Sequence, residues 1–316
     1  MRRIAVVTSS QWSRGHPDDV SLFVAMPRFG LQPEPRVWSD AAVAWERHDA
    51  ILVRTPWDYF RRWPEFNAWL DRIETLGVPV INPVPLLRWN ADKRYLLALE
   101  GAGVPVVPTR FVESGQVMQA LAACRWGETV IKPTVSGGAW DTLRLRPQEF
   151  EARADELAVL ARKHTLMLQP YLPEVAADGE WSLIYLGGEF SHAVHKRPRA
   201  GDFRVQEKHG GGHERAEPDA ALVAQGRAGL AALPGVGFPT CLYARVDGVV
   251  RGGRLLLMEL EVLEPQLFLA GAPHAGVAFA RLLSAYLVQQ AAAGERAAPP
   301  VGAASAATRQ ALRDRG

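Results

Sequence analysis

The most constraining stretch of the chain runs from Leu242 to Glu264. It reads as two strands, Leu242 to Val249 and Arg254 to Val262, folded about a turn of roughly three residues containing Gly252-Gly253. Side chains alternate faces along a strand, so Leu256, Met258, Leu260 and Val262 share one face, and Leu255, Leu257, Glu259, Glu261 and Leu263 the other. A solvated face would be polar throughout. Here leucines flank two carboxylates, which predicts acids held half-buried. Folding the hairpin sets Asp247 opposite Glu259 or one residue off, on the face that also carries Arg245. Three carboxylates that close repel and raise one another's pKa unless a cation neutralises them. An all-oxygen donor set suits magnesium or manganese. The plainer alternative is an edge hairpin with ordinary acidic decoration.

Two lysines stand in unusual company. Lys93 falls early in a segment read as a helix from an Asn90 N-cap to Glu100, closed by Gly101 or Gly103. Lys132 ends the apolar run Val130-Ile131 and leads into Ser136-Gly137-Gly138, whose backbone N–H groups could close over phosphates. Either lysine alone is an ordinary surface residue. The motif is not a Walker loop, because no G-x-x-x-x-G-K-[ST] occurs, and no G-x-G-x-x-G joins a strand to a helix. A third signal is the basic run from His195 to Lys208, followed by Gly210-Gly211-Gly212. Such a run generically reads as a nucleic-acid interface, but Asp202 and Glu207 interrupt it, and the whole chain balances 36 Lys and Arg against 34 Asp and Glu for a net charge of +2. A small anion is the expected partner, with neither nucleic acid nor an anionic membrane surface.

Length and composition set the frame. At 316 residues, 48% hydrophobic and 22% charged, the chain is globular and long enough for two structural units. Two cysteines, Cys124 and Cys241, supply neither a disulfide framework nor a thiolate zinc site, which places the chain in a reducing cytoplasm. The apolar run after Arg3 is too short for a signal peptide, and no stretch approaches the about 18 apolar residues of a membrane helix.

The first third alternates strand and helix signals at Ile4–Thr8, Asp18–Arg28, Ala50–Arg54, Trp63–Leu76 and Val78–Ile81, the rhythm of a parallel α/β unit. Ligands gather beyond the carboxyl ends of such strands. That makes Ser9, Gln11, Trp57 and Asp58 substrate-side candidates, and Trp12, Trp57 and Tyr59 a candidate aromatic wall, although core packing is the more usual role for any one of them. The later strands, at Val106–Thr109, Thr129–Pro133, Leu166–Leu168, Trp181–Leu186 and Ser191–His195, with helices at Val117–Ala123 and Pro147–Lys163, are α+β in character.

Taken in order, these elements resemble the ATP-grasp superfamily. Asp92-Lys93 followed by Gly103-Val104-Pro105 and Pro108-Thr109 resembles the opening of its nucleotide-binding region, and Lys132 with Ser136-Gly137-Gly138 its second lysine and phosphate lid. Gln169, Tyr171 and Leu172 match the adenine hinge and Glu180 the ribose carboxylate, although Gln169 stands where many members have glutamate and Pro170 carries no N–H. Arg245, Asp247, Glu259 and Glu261 match the closing R-x-D and E-x-N of glutathione synthetases and D-alanine:D-alanine ligases, with Glu261 in place of asparagine. Arg204-Val205-Gln206 with its glycines resembles a loop of bacterial glutathione synthetase, and Lys196 or Arg197 falls near another basic residue of that family. The strings Arg54-Thr55-Pro56-Trp57-Asp58-Tyr59 and Glu259-Leu260-Glu261-Val262-Leu263-Glu264-Pro265 look most like the O-ureidoserine cyclo-ligases of the D-cycloserine pathway.

The resemblance implies an ATP-grasp fold with an N-terminal α/β substrate-side domain (1–88), a lid lobe (89–168) and a core lobe with the metal site (169–292); residues 293–316, rich in Ala and Arg with Pro299-Pro300 and without apolar periodicity, read as a flexible tail, frayed or helical. The resemblance also implies ATP and Mg²⁺ or Mn²⁺ as cofactors and a small amino-acid-like substrate whose carboxylate is phosphorylated and then attacked by an amine. Lys93 and Lys132 would neutralise phosphates, Asp247, Glu259 and Glu261 would hold the metal, and Arg245, Arg204, Arg197 and Lys196 would act on the transferring groups. A phosphotransferase on the same scaffold and a nucleotide sensor without activity are the alternatives, and self-association is left open.

Overall fold

A computed structural model describes residues 1–113 and 115–297. The N-terminal unit is a four-stranded sheet of order β2-β1-β3-β4, formed by β1 (Arg2–Thr8), β2 (Leu31–Val37), β3 (Ala50–Thr55) and β4 (Val80–Ile81), all parallel. β1 is buried on both faces: Ile4 and Val6 enter one core cluster, Ala5 and Val7 another, as a central parallel strand must. The helix Trp63–Leu76 covers the second cluster with Phe66, Trp69, Leu70 and Ile73, at 3.6-residue spacing. Each such side chain contributes about 1.5 to 3 kcal/mol when fully buried. β2 escapes the sequence reading because Pro33 and Pro35 interrupt its pattern; they are tolerated because the strand lies at the sheet edge.

A second sheet, of order β5-β8-β6-β7, comprises β5 (Arg110–Val112), β6 (Thr129–Pro133), β7 (Leu143–Leu145) and β8 (Leu166–Pro170) and is antiparallel. The third, of order β11-β10-β9-β12-β13, comprises β9 (Glu180–Leu186), β10 (Glu189–Arg197), β11 (Gly212–Ala216), β12 (Tyr243–Arg251) and β13 (Arg254–Glu261). The expected strand at Val106–Thr109 is a single bridge from Val106 to Leu257, since Pro105 and Pro108 deny the ladder two donors.

The expected helix from an Asn90 N-cap is two helices, Val84–Ala91 and Tyr95–Gly101, and the first crosses the expected boundary at residue 88. Asn90 is not a cap. Its buried amide donates to the Leu260 carbonyl at 2.6 Å and accepts from the N–H groups of Val262 and Leu263 at 2.9 and 3.2 Å, tying this helix to the end of β13. The last helix, Pro273–Ala297, runs past the expected start of the tail at 293; residues 298–316 of that tail lie outside the described residues. Among the described residues no helix is long and apolar enough to cross a membrane.

Candidate active site

The acid-bearing hairpin has a tighter turn than its sequence suggests. Arg251 pairs with Arg254, leaving Gly252 and Gly253 as a two-residue turn with φ of +57° and +75°, both in the left-handed region that glycine adopts without strain. Continued without interruption, that register would set Met258 opposite Asp247. A bulge between Asp247 and Gly248 takes up one residue of β13, so Asp247 faces Glu259 and Arg245 faces Glu261. Gly248 is required at the bulge, because a Cβ there would meet the Leu256 carbonyl oxygen at 2.5 Å. Carboxylate oxygens of Asp247, Glu259 and Glu261 consequently lie within 4.8 Å of one another.

These acids are not left to repel. Arg245 donates to Asp247 at 2.8 Å and to Glu261 at 2.6 Å; Lys132 donates to Glu259 at 2.8 Å, with Lys93 at 3.8 Å; Lys196 lies 3.3 Å from Asp247. The Ser182 hydroxyl also donates to Asp247. Burial pushes Glu259 up, but Lys132 and Lys93 outweigh it and hold the carboxyl well below its ordinary value. Asp247 is lowered in the same way, with Arg245 and Lys196 overcoming burial. Glu261 goes the other way: burial raises it, assisted by Asp247, Glu264 and Glu259, and Arg245 does not compensate. The expectation of mutual repulsion therefore survives at Glu261 only.

Lys93 owes its position to the break between the two helices, where Asp92 is extended; it is not helix-borne as expected. From there its ammonium reaches the Ser136 carbonyl at 2.7 Å while its backbone N–H donates to Thr134, so the lysine and the Ser136-Gly137-Gly138 loop hold each other. On β10 the alternation buries Lys196, ion-paired to Glu180, and turns Arg197 outward, away from the cavity; Arg197 leaves the set of site residues. Arg204 lines the cavity and pairs with Asp202 at 2.8 Å. Gln169 is buried and donates to the Thr109 hydroxyl at 2.9 Å, and the Arg144 guanidinium covers the Tyr171 ring at 3.6 Å.

One cavity of about 690 Å³ gathers every site residue expected from the sequence except Arg197. It is lined by Lys93, Lys132, Ser136, Gly137, Gly138, Gln169, Tyr171, Leu172 and Glu180, by the carboxylate trio with Arg245, and by Ser9, Gln11, Trp12, Trp57, Asp58 and Tyr59 of the N-terminal unit. Asp58 is committed within the fold, since its carboxylate accepts from the Trp38 indole at 2.7 Å. Tyr59 is almost wholly buried, so packing is part of its work. The cavity adds residues that the sequence did not single out, among them His16, His213 and Gln266. His16 sits edge-on between Trp12 and Trp57, with ring centroids at 4.4 and 4.7 Å. No local pattern marks these; Glu264 alone carried a signal, as the third acid of Glu259-Leu260-Glu261-Val262-Leu263-Glu264.

The oxygen-only trio fits a hard divalent cation, and the adjacent lysines fit a polyphosphate. Residues 4–82 match the family model for the N-terminal domain of D-cycloserine synthetase DcsG. The cycloserine biosynthesis protein DcsG of Streptomyces lavendulae is 34% identical over 284 residues, covering 83% of this chain and 91% of that protein. A crystal structure of D-cycloserine synthetase DcsG superposes with a TM-score of 0.81 at 31% identity, over 90% of this chain and 99% of that one. At 17% identity and a TM-score of 0.63, D-alanine–D-alanine ligase from Bacillus anthracis shares the fold over 92% of this chain and 97% of its own. The chain thus belongs to the DcsG family of ATP-grasp enzymes and is an ATP-dependent carbon–nitrogen ligase.

Proposed function

We propose that the protein activates the carboxylate of a small amino-acid-like molecule and closes a ring on it with a nitrogen of the same molecule, O-ureidoserine being the substrate to test first. The observation that carries this reading is the single cavity that joins the lysines and carboxylates to the aromatic loops of the N-terminal sheet, with room for a nucleotide and one compact substrate. A substrate carboxylate oxygen attacks the γ-phosphorus of ATP, the bond to the β–γ bridging oxygen breaks, and ADP leaves. The substrate nitrogen then attacks the acyl carbon, the carbon–oxygen bond to phosphate breaks, and the nitrogen gives up its proton.

Such chemistry asks for positioning and charge neutralisation. Lys93 and Lys132 would take phosphate oxygens, exchanging Glu259 for the nucleotide. Asp247, Glu259 and Glu261 would hold Mg²⁺ or Mn²⁺, which supplies charge neutralisation at the phosphates when bound. Arg245 is aimed between Asp247 and Glu261, where a developing oxyanion would meet it. Lys196 and Arg204 are placed for the substrate or its acyl phosphate, Gln169, Tyr171 and Leu172 for adenine, and Glu180 for ribose, once Lys196 releases it.

Hydroxylamine trapping tests the reading. ADP release with formation of a hydroxamate is expected from a carboxylate-activating enzyme. A stable phosphate ester without hydroxamate would make it a phosphotransferase, and a ligated dimer in place of a ring would move it to intermolecular ligation.

A further inference from the structure

Among the described residues, the carboxylates lining the cavity have a basic partner within ion-pair distance in every case but one. Glu259 faces Lys132, Asp247 and Glu261 face Arg245, and Glu180 faces Lys196. On the N-terminal side Asp58 lies 3.8 Å from Arg62, and Glu207 lies 2.9 Å from the His213 imidazole. Glu264 has the Tyr59 hydroxyl and its own backbone N–H beside it, while Lys93 and Arg245 act on it only from longer range. Nor does it belong to the trio of acids whose oxygens lie within 4.8 Å. Glu264 is half-buried and lines the cavity without a cation of its own, which leaves its carboxylate open to a cationic group brought by a ligand.

The fold also fixes where this carboxylate stands. Val262 and Leu263 donate to Asn90, the Leu263 carbonyl accepts from the Tyr243 hydroxyl at 3.0 Å, the Glu264 carbonyl from the Trp57 indole at 2.9 Å, and the Pro265 carbonyl from Arg54 at 3.0 Å. Each residue from 262 to 265 is therefore pinned by a side chain from another element. Arg245 brackets the position, touching Glu261 at 2.6 Å and the Gln266 carbonyl at 3.1 Å. In an α-amino acid the carboxylate and the ammonium share one carbon. A receptor for the ammonium must then lie next to the residues that receive the carboxylate, and Glu264 lies next to Arg245.

We propose that Glu264 binds the α-ammonium group of the substrate and so selects an amino acid over the corresponding simple carboxylic acid. This rests on the ring-closing reading for the identity of the test ligand, and on the cavity's ion pairing for the residue.

The test measures calorimetric binding of O-ureidoserine, of a panel of amino acids, and of the deaminated counterpart of each to the full chain saturated with magnesium and a non-hydrolysable ATP analogue, alongside ADP release with ATP. The wild type is expected to bind an amino compound at least about tenfold more tightly than its deaminated counterpart. Glu264→Gln should erase that preference, and Glu264→Asp should restore part of it, while affinity for the nucleotide analogue, which also reports a folded site, stays within about twofold. A preference that persists in Glu264→Gln overturns the proposal, as does a loss of nucleotide or magnesium affinity in place of substrate affinity. Binding by no panel member overturns both this proposal and the amino-acid reading. A Glu264-dependent preference without ring formation upholds the ammonium site and sinks ring closure alone.

Discussion

At the scale of single residues, the paired acids of β13 separate two kinds of consequence. Glu259 and Glu261 are held by Lys132 and Arg245, so the double change to glutamine leaves Lys132 without a charged partner and Arg245 with Asp247 alone. Breaking buried pairs in this way typically costs about 3 to 5 kcal/mol. The melting temperature of Glu259→Gln/Glu261→Gln is therefore expected to fall, where mutual repulsion alone would have left it unchanged or raised it. Stability without nucleotide does not report metal binding here; linkage does. Magnesium with ATP should raise the melting temperature of the wild type and leave that of the double variant unchanged, and turnover of the variant should vanish. Melting curves with and without magnesium-ATP, read beside an ADP-release assay, check both points. A variant that retains turnover would remove the two acids from the proposed metal site.

At the scale of elements, the bulge in the hairpin and the charged edge of the N-terminal sheet each make a separate prediction. Gly248→Ala places a Cβ against the Leu256 carbonyl oxygen at 2.5 Å, an approach that backbone atoms relieve only by moving. Overpacking of this kind costs about 1 to 3 kcal/mol. Because relief shifts the register that sets Asp247 opposite Glu259, kcat should fall by more than the stability loss explains; denaturant unfolding and ADP release on the same preparation check it. On β2, hydrogen bonding from Arg3 holds Glu34 down from its ordinary 4.5 to about 2, with Arg36 and His48 also close. A carboxyl lowered in the folded state stabilises above its unfolded pKa and stops doing so as pH falls through the folded one. The difference in melting temperature between wild type and Glu34→Gln should be full above about pH 4.5 and shrink toward pH 2, as measured by melting across that range.

At the scale of the whole molecule, a buried seam joins the N-terminal sheet to the loop after β13. Arg54, 1% exposed, pairs with Asp19 at 2.8 Å and donates to the Pro265 carbonyl, while Asp18 accepts from the Ala270 N–H at 3.1 Å. Asn82 donates to the carbonyls of Tyr243 and Val262 at 3.0 and 2.7 Å. Arg54→Met removes the only cation that faces Asp19 within ion-pair distance among the described residues, at a cost of about 3 to 5 kcal/mol. Burial already raises Asp19 above its ordinary value against the pull of Arg54, and losing Arg54 raises it further. A raised group stabilises while protonated and loses that contribution as pH climbs through its folded pKa. The penalty of Arg54→Met should consequently grow as pH rises above the ordinary carboxyl range, and substrate KM should rise more than ATP KM, because the loosened loop carries Glu264. A penalty flat with pH would show that Asp19 finds another partner.

The sequence by itself determined what depends on local period and on residue chemistry. Alternation placed Glu259 and Glu261 on one face, glycines marked the turn at 252–253, and Lys132 before Ser136-Gly137-Gly138 pointed to a phosphate-sized anion, so the residues proposed here for the nucleotide were legible from residue chemistry alone. Tertiary structure decided which residues from distant segments meet. It split the expected helix so that Lys93 sits in the break, and it turned Lys196 in and Arg197 out because β10 pairs with β9 and β11 in one register. It also made Asn90 a strap where a cap was expected, and inserted the bulge that aligns Asp247 with Glu259. Glu264 shows the reason most directly. Its being an acid is written in the chain, but its being an acid without a cation depends on where Arg54, Lys93 and Arg245 end up, and side chains so far apart in sequence take their partners from packing, which no local pattern encodes.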